Sequence, residues 1–136
     1  MNKTLFDRMG KAVAYIAPDH RETIYLWEGR PVAYLFEEMH IYGINGRHLA
    51  WFINGVVYNT YGRRIGFTFE TCPVPPGNEP AKGKKISIAE IRPRWRTPPS
   101  PALNFNIGQE DLVQILERGE VPFFETTPLD QPILKA

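Results

Sequence analysis

The chain has 136 residues and a mass of 15.6 kDa, with 16 Lys and Arg against 15 Asp and Glu. That size suits one domain able to bury a core without metals or disulfides, and the near-zero net charge argues against a dedicated polyanion binder held by counterion release. Cys72 is the single cysteine, which excludes an intrachain disulfide and a multi-cysteine zinc site. The first residues lack the apolar stretch of a leader, and no window approaches the roughly 18 apolar residues of a membrane span. A soluble, cytoplasmic protein is expected.

In chain order, the first element is Leu5-Phe6 leading to Gly10-Lys11-Ala12-Val13-Ala14-Tyr15. The same order returns as Ile24-Tyr25 with Gly29-Arg30-Pro31-Val32-Ala33-Tyr34, then Ile41-Tyr42 with Gly46-Arg47-His48-Leu49-Ala50-Trp51, then Val57-Tyr58 with Gly62-Arg63-Arg64-Ile65-Gly66-Phe67. An aromatic stands four residues before each glycine. After the glycine come a basic residue at one, an aliphatic at three, Ala or Gly at four and an aromatic at five. Each copy reads as a β-hairpin whose turn ends in glycine, followed by a strand alternating with period two. Asn45-Gly46 and Asn54-Gly55 carry the strongest turn chemistry, and Pro18-Asp19 marks a longer connector.

Four hairpins give eight antiparallel strands, and closing them on each other removes the sheet edges. The expected fold is therefore mainly β: four hairpin repeats in a closed pseudo-fourfold antiparallel arrangement over residues 1–71, with a Greek-key barrel as the alternative. Ala14, Ala33, Ala50 and Gly66 share one face, which predicts close approach of the four backbones around an axis or a tightly curved sheet. The Tyr-x-x-x-Gly-Arg-x-aliphatic-Ala-aromatic units resemble those of the bacterial family of 4-fold beta flower proteins over roughly residues 4–69. That resemblance implies radially arranged hairpins and brings no activity or catalytic residues. Tyr58-Asn59-Thr60-Tyr61-Gly62-Arg63 is also similar, more loosely, to a YD or Rhs repeat unit.

Residues 72–136 form a Pro-rich extension outside both resemblances, holding 11 of the 13 prolines. Residues 72–96 carry six Lys or Arg against Glu79 and Glu90, whereas 97–136 carry two basic and six acidic residues; the two stretches are expected to wrap the first half and to pair with each other. Lys84 to Arg92 alternates isoleucine with polar residues as a half-buried strand does, Pro98-Pro99-Ser100-Pro101 suits polyproline II, and residues 109–118 are the one helix. Glu110 and Asp111 stand in its first turn, Leu112, Ile115 and Leu116 on one face, and Gly119 stops it. Phe123-Phe124 is expected to pack nearby, with the last eight residues frayed.

No catalytic constellation emerges. His20, His40 and His48 fit no zinc spacing and read as surface or strand positions, Glu37-Glu38 beside His40 reads as a solvated turn, and Cys72 lacks a partner base. Ser87 and Ser100 lie in no nucleophile turn, no glycine-rich phosphate loop occurs, and no cofactor or metal is expected. Binding features are Lys11, Arg30, Arg47 and Arg63, which closure would set in one ring able to hold an anion, and Trp95 among Arg92, Arg94 and Arg96, a mixture able to stack on single-stranded nucleic acid. The leading expectation is a non-enzymatic β-repeat module for protein interaction or self-association. The alternatives are an anion or single-stranded nucleic-acid binder using those residues, nucleic acid being the less favoured partner, and a small enzyme with an unrecognised site.

Overall fold

Apolar alternation restarting after each glycine produces the strand pairs β1 (Lys3–Phe6) and β2 (Ala12–Ala17), β3 (Thr23–Leu26) and β4 (Pro31–Phe36), β5 (His40–Gly43) and β6 (His48–Ile53), and β7 (Val56–Tyr58) and β8 (Arg64–Phe67). In the computed structural model, which describes residues 2–86 and 92–120, these eight strands close in sequence order as an antiparallel barrel, Phe6 of β1 pairing with Phe67 of β8. The closed meander is therefore the fold, not the Greek key.

The four glycine turns share one hydrogen-bond pattern. The N–H of Asp7, Leu26, Gly43 and Asn59 donates to the carbonyl four residues on, at 2.7–2.9 Å, and the glycine N–H donates back to the first residue's carbonyl. This is a tight turn closed by a left-handed residue. The β6–β7 connector is tighter still, with Asn54 and Gly55 both at positive φ between the paired Ile53 and Val56. Because the glycine turns join alternate strand pairs, all four lie at one end of the barrel and the connectors lie at the other.

The inner wall is built by cross-strand pairs of one aliphatic and one small residue: Leu5 with Ala14, Ile24 with Ala33, Ile41 with Ala50 and Val57 with Gly66. The small face thus points into the bore, where side chains rather than the other small-residue backbones meet it. What fills the space it leaves is the larger partner together with the helix α1 (Leu112–Glu117), whose Leu112, Ile115 and Leu116 join the same cluster as Val13, Val32, Leu49 and Ile65. A Cβ on Gly66 would stand 2.9 Å from Val57 Cβ and 3.0 Å from Leu112 Cδ2. α1 is six residues long, shorter than the spacing predicted, because the Asp111 carboxylate caps it by accepting from the Gln114 N–H. Gly119 follows the helix and lies directly against Gly43 of β5.

The outer wall is aromatic and the Pro-rich extension covers it. Gly77, Ile86, Trp95 and Asn104 donate their N–H groups to the carbonyls of Gly10, Gly29, Gly46 and Gly62 at 2.8–3.0 Å. These four donors are spaced nine residues apart, so the extension is a belt that meets the hairpin turns in succession, with Gly83 N–H adding a second bond to the Trp27 carbonyl of the second turn. It has no helix or strand over residues 72–86 or 92–106; the predicted strand from Lys84 is absent at Lys84 to Ile86, and its remaining core at 87–91 lies outside the described residues. Among the described residues, the belt's N–H groups up to Asn104 run to turn carbonyls and form no ladder; beyond it a single parallel bridge joins Ile107 to Arg64 of β8. Phe123, Phe124 and the frayed end also lie outside the described residues.

The belt's cations sit on rings. Lys82 Nζ lies 4.6 Å from the Trp27 ring centroid, the Arg92 guanidinium 4.7 Å from Tyr34 and the Arg94 guanidinium 3.9 Å from Phe36. Pairing of the basic stretch with the acidic one was expected, yet the ion pairs of Glu110, Glu117 and Glu120 among the described residues go to Arg118 and Arg30. A cation over a buried aromatic flank keeps its water-facing side solvated, which suits a belt that must lie flat.

Candidate functional site

The two ends of the barrel differ. At the turn end, α1 is a stopper held by side chains of the turns: Asn45 Nδ2 donates to Arg118 O at 2.8 Å, Asn59 Nδ2 to Glu110 Oε1 at 2.9 Å, and Arg30 reaches both Glu117 and Glu120. A cleft of about 70 Å³ remains beside Met9 and Asp111. At the connector end nothing among the described residues plugs the bore, and a recess of about 640 Å³ opens there.

The floor of that recess comes from the repeat. Ile16, Leu35, Phe52 and Thr68 each stand six residues after a turn glycine and two after the small residue, so period two carries them to the inner face. Ile16 and Thr68 are buried, while Leu35 and Phe52 are only partly covered. Phe6 and Phe69 add aromatic wall, Phe69 being 67% exposed. The rim is acidic: Glu22 from the β2–β3 connector, Glu38 from the β4–β5 connector, Glu70 after β8 and Glu79 from the belt, against Lys3. None of these four carboxylates makes an ion pair with a described residue. A mouth of this size, with an apolar floor and charge confined to the rim, is the ordinary shape of a binding site.

The residues singled out from the sequence lie elsewhere. Lys11, Arg30, Arg47 and Arg63 all follow turn glycines and so belong to the stoppered end. They are not equivalent there. Arg30 is bound by Glu28, Glu117 and Glu120 and its pKa is raised, chiefly by the hydrogen bond to Glu117; Arg47 lies 5.6 Å from the Trp95 ring, and Lys11 and Arg63 are exposed. Arg94, Trp95 and Arg96 are belt residues, with Trp95 47% exposed while its backbone N–H is held by Gly46. The belt thus brings Trp95 to Arg47, a contact that no local sequence pattern shows.

Two of the histidines meet although they read as unremarkable strand positions. His40 Nδ1 and His48 Nε2 are 3.1 Å apart, packed against Trp51 and Tyr42 on the outer wall. The signal lies in the strand pairing, which sets His40 opposite Trp51 and Tyr42 opposite His48. His20 lies apart, beside Asp19. No group of three or more His, Cys, Asp or Glu able to hold a metal occurs among the described residues. Cys72 is partly covered, its thiol 3.9 Å from Asp7 O. No helix among the described residues is long and apolar enough to cross a membrane.

The recess floor, though drawn from the repeat, was missed because position six carries Ile, Leu, Phe and Thr, with no common type to mark it. The chain belongs to the 4-fold beta flower proteins: the family's pattern matches residues 3–116. The match extends the resemblance seen in residues 4–69 through the belt and into α1, so the family's unit includes most of the Pro-rich extension. No curated protein and no solved structure matches the chain.

Proposed function

We propose that this chain is a protein-interaction module that receives part of its partner in the open mouth of the barrel. One observation carries the reading: the stopper and the belt occupy the turn end and the aromatic flank, while the connector end keeps a recess of about 640 Å³ with half-covered Leu35 and Phe52 at its floor. Apolar side chains left open to water at the end of an otherwise packed bore favour association. The rival reading, an anion or single-stranded nucleic acid on the basic residues, has weaker support, since Arg30 already holds carboxylates of its own chain and Arg94 is spread over Phe36.

The test is site-specific photo-crosslinking in the source cell, with a photoreactive residue in place of Phe52 and, as the control, in place of Met9 at the stoppered end. The expected result is a discrete protein adduct from position 52 that is absent from position 9 and is lost when Leu35→Glu is added. Equal labelling from both positions would overturn the reading.

A further inference from the structure

We infer that the mouth selects a basic, apolar segment of the partner: a large apolar side chain seated on the floor, with Lys or Arg within one or two residues of it meeting the rim. This rests on the mouth being the contact surface. Charge complementarity selects the occupant. Four carboxylates, Glu22, Glu38, Glu70 and Glu79, surround the opening against the single ammonium of Lys3, and none of the four is paired within the described chain. An acidic or neutral occupant would leave those charges facing a dry apolar plug at close range, whereas a cation neutralises them as the floor is covered. Phe52 and Phe69 offer ring faces that an ammonium or guanidinium also favours.

The connectors supply a second line of support. Arg21-Glu22 and Glu37-Glu38 are both held at positive φ, between 53° and 63°, where side chains other than Gly and Asn are strained. The third connector solves the same geometry with Asn54-Gly55. Glutamate at the second position of the other two therefore costs backbone energy that glycine would avoid, and in both it is the residue that lines the mouth.

The experiment pans random heptapeptides on phage against the full chain and, in parallel, against the combined Glu22→Gln, Glu38→Gln, Glu70→Gln variant, which alters only rim side chains and whose melting curve checks its fold. Expected are selected sequences that place Lys or Arg within two residues of Phe, Trp or Leu. A synthetic peptide of that consensus should bind the variant about tenfold more weakly and lose affinity as salt rises. Selection of acidic or uncharged sequences, abolished by Leu35→Glu, would overturn the inference while leaving the mouth as a protein-binding surface. Peptides that bind the rim variant and Leu35→Glu as well as they bind the native chain would overturn both. Two further outcomes would overturn the inference by assigning the mouth to another occupant: saturation by phenethylammonium with no peptide selected, or a dimer in light scattering that Phe52→Glu dissociates.

Discussion

At His48 the barrel holds a group that can be charged only at a cost. Its Nδ1 is buried without a hydrogen-bond partner, so a proton there would be a stranded donor; the tautomer that avoids this carries its proton on Nε2 and donates to His40 Nδ1. Burial, and then the neighbouring His40, push the His48 pKa down from 6.5 to about 4. Between those values the unfolded chain binds more protons than the folded one, so stability is complete above pH 6.5 and falls as the pH drops towards 4. The loss expected from this one group is about 1 to 3 kcal/mol. Carboxylates shift the same curve, so the check is differential: urea midpoints at pH 7 and pH 4.5 for the native chain and for His48→Phe. The variant should lose less than the native chain by that amount, and parallel curves would show that His48 titrates freely.

At the scale of elements, the chain mixes a motif that can be read with a belt that cannot. The hairpins are legible because each turn needs a residue at positive φ, each inner position needs a small or aliphatic side chain, and both needs recur four times. α1 is legible from Leu112, Ile115 and Leu116 and the glycine that stops it. The belt's nine-residue period is invisible because its contacts are main chain to main chain: Gly77, Ile86, Trp95 and Asn104 occupy equivalent places and share no chemistry. The acidic mouth escaped for a related reason, since Glu22, Glu38, Glu70 and Glu79 come from three connecting segments and the belt, and only closure brings them together. The belt's seat on the turns is open to test at Gly62, which has φ +80° and whose Cβ position is taken by the carbonyl of Ala102. Gly62→Ala should destabilise by about 2 to 4 kcal/mol, combining backbone strain with displacement of the belt. Gly77, with its Cβ position 3.3 Å from Gly10 O and open otherwise, should tolerate alanine within about 1 kcal/mol. A cost at Gly62 in urea denaturation no larger than the roughly 1 to 2 kcal/mol of left-handed strain would mean that this glycine serves its turn alone.

For the whole molecule, the question is whether the first 71 residues are a domain that wears the extension or an assembly completed by it. The inner cluster counts Leu112, Ile115 and Leu116 among its members, each 2% exposed or less. At about 1.5 to 3 kcal/mol for each buried aliphatic side chain, their loss alone approaches the 5 to 15 kcal/mol by which domains are stable. The outer wall would suffer as well. Tyr34 and Tyr42 are nearly inaccessible, and their hydroxyls donate to Pro93 O and contact Thr97 Oγ1 of the belt; Trp27 Nε1 donates to Pro80 O. Without the belt those rings would form an exposed apolar band with unmet polar groups, the kind of surface that drives association. The expected outcome is that residues 1–71 expressed alone give no cooperative thermal transition and elute as aggregates, while the full chain melts in one cooperative transition. A cooperative transition for 1–71 within a few degrees of the full chain would establish the hairpin ring as self-sufficient and reduce the belt and stopper to a covering.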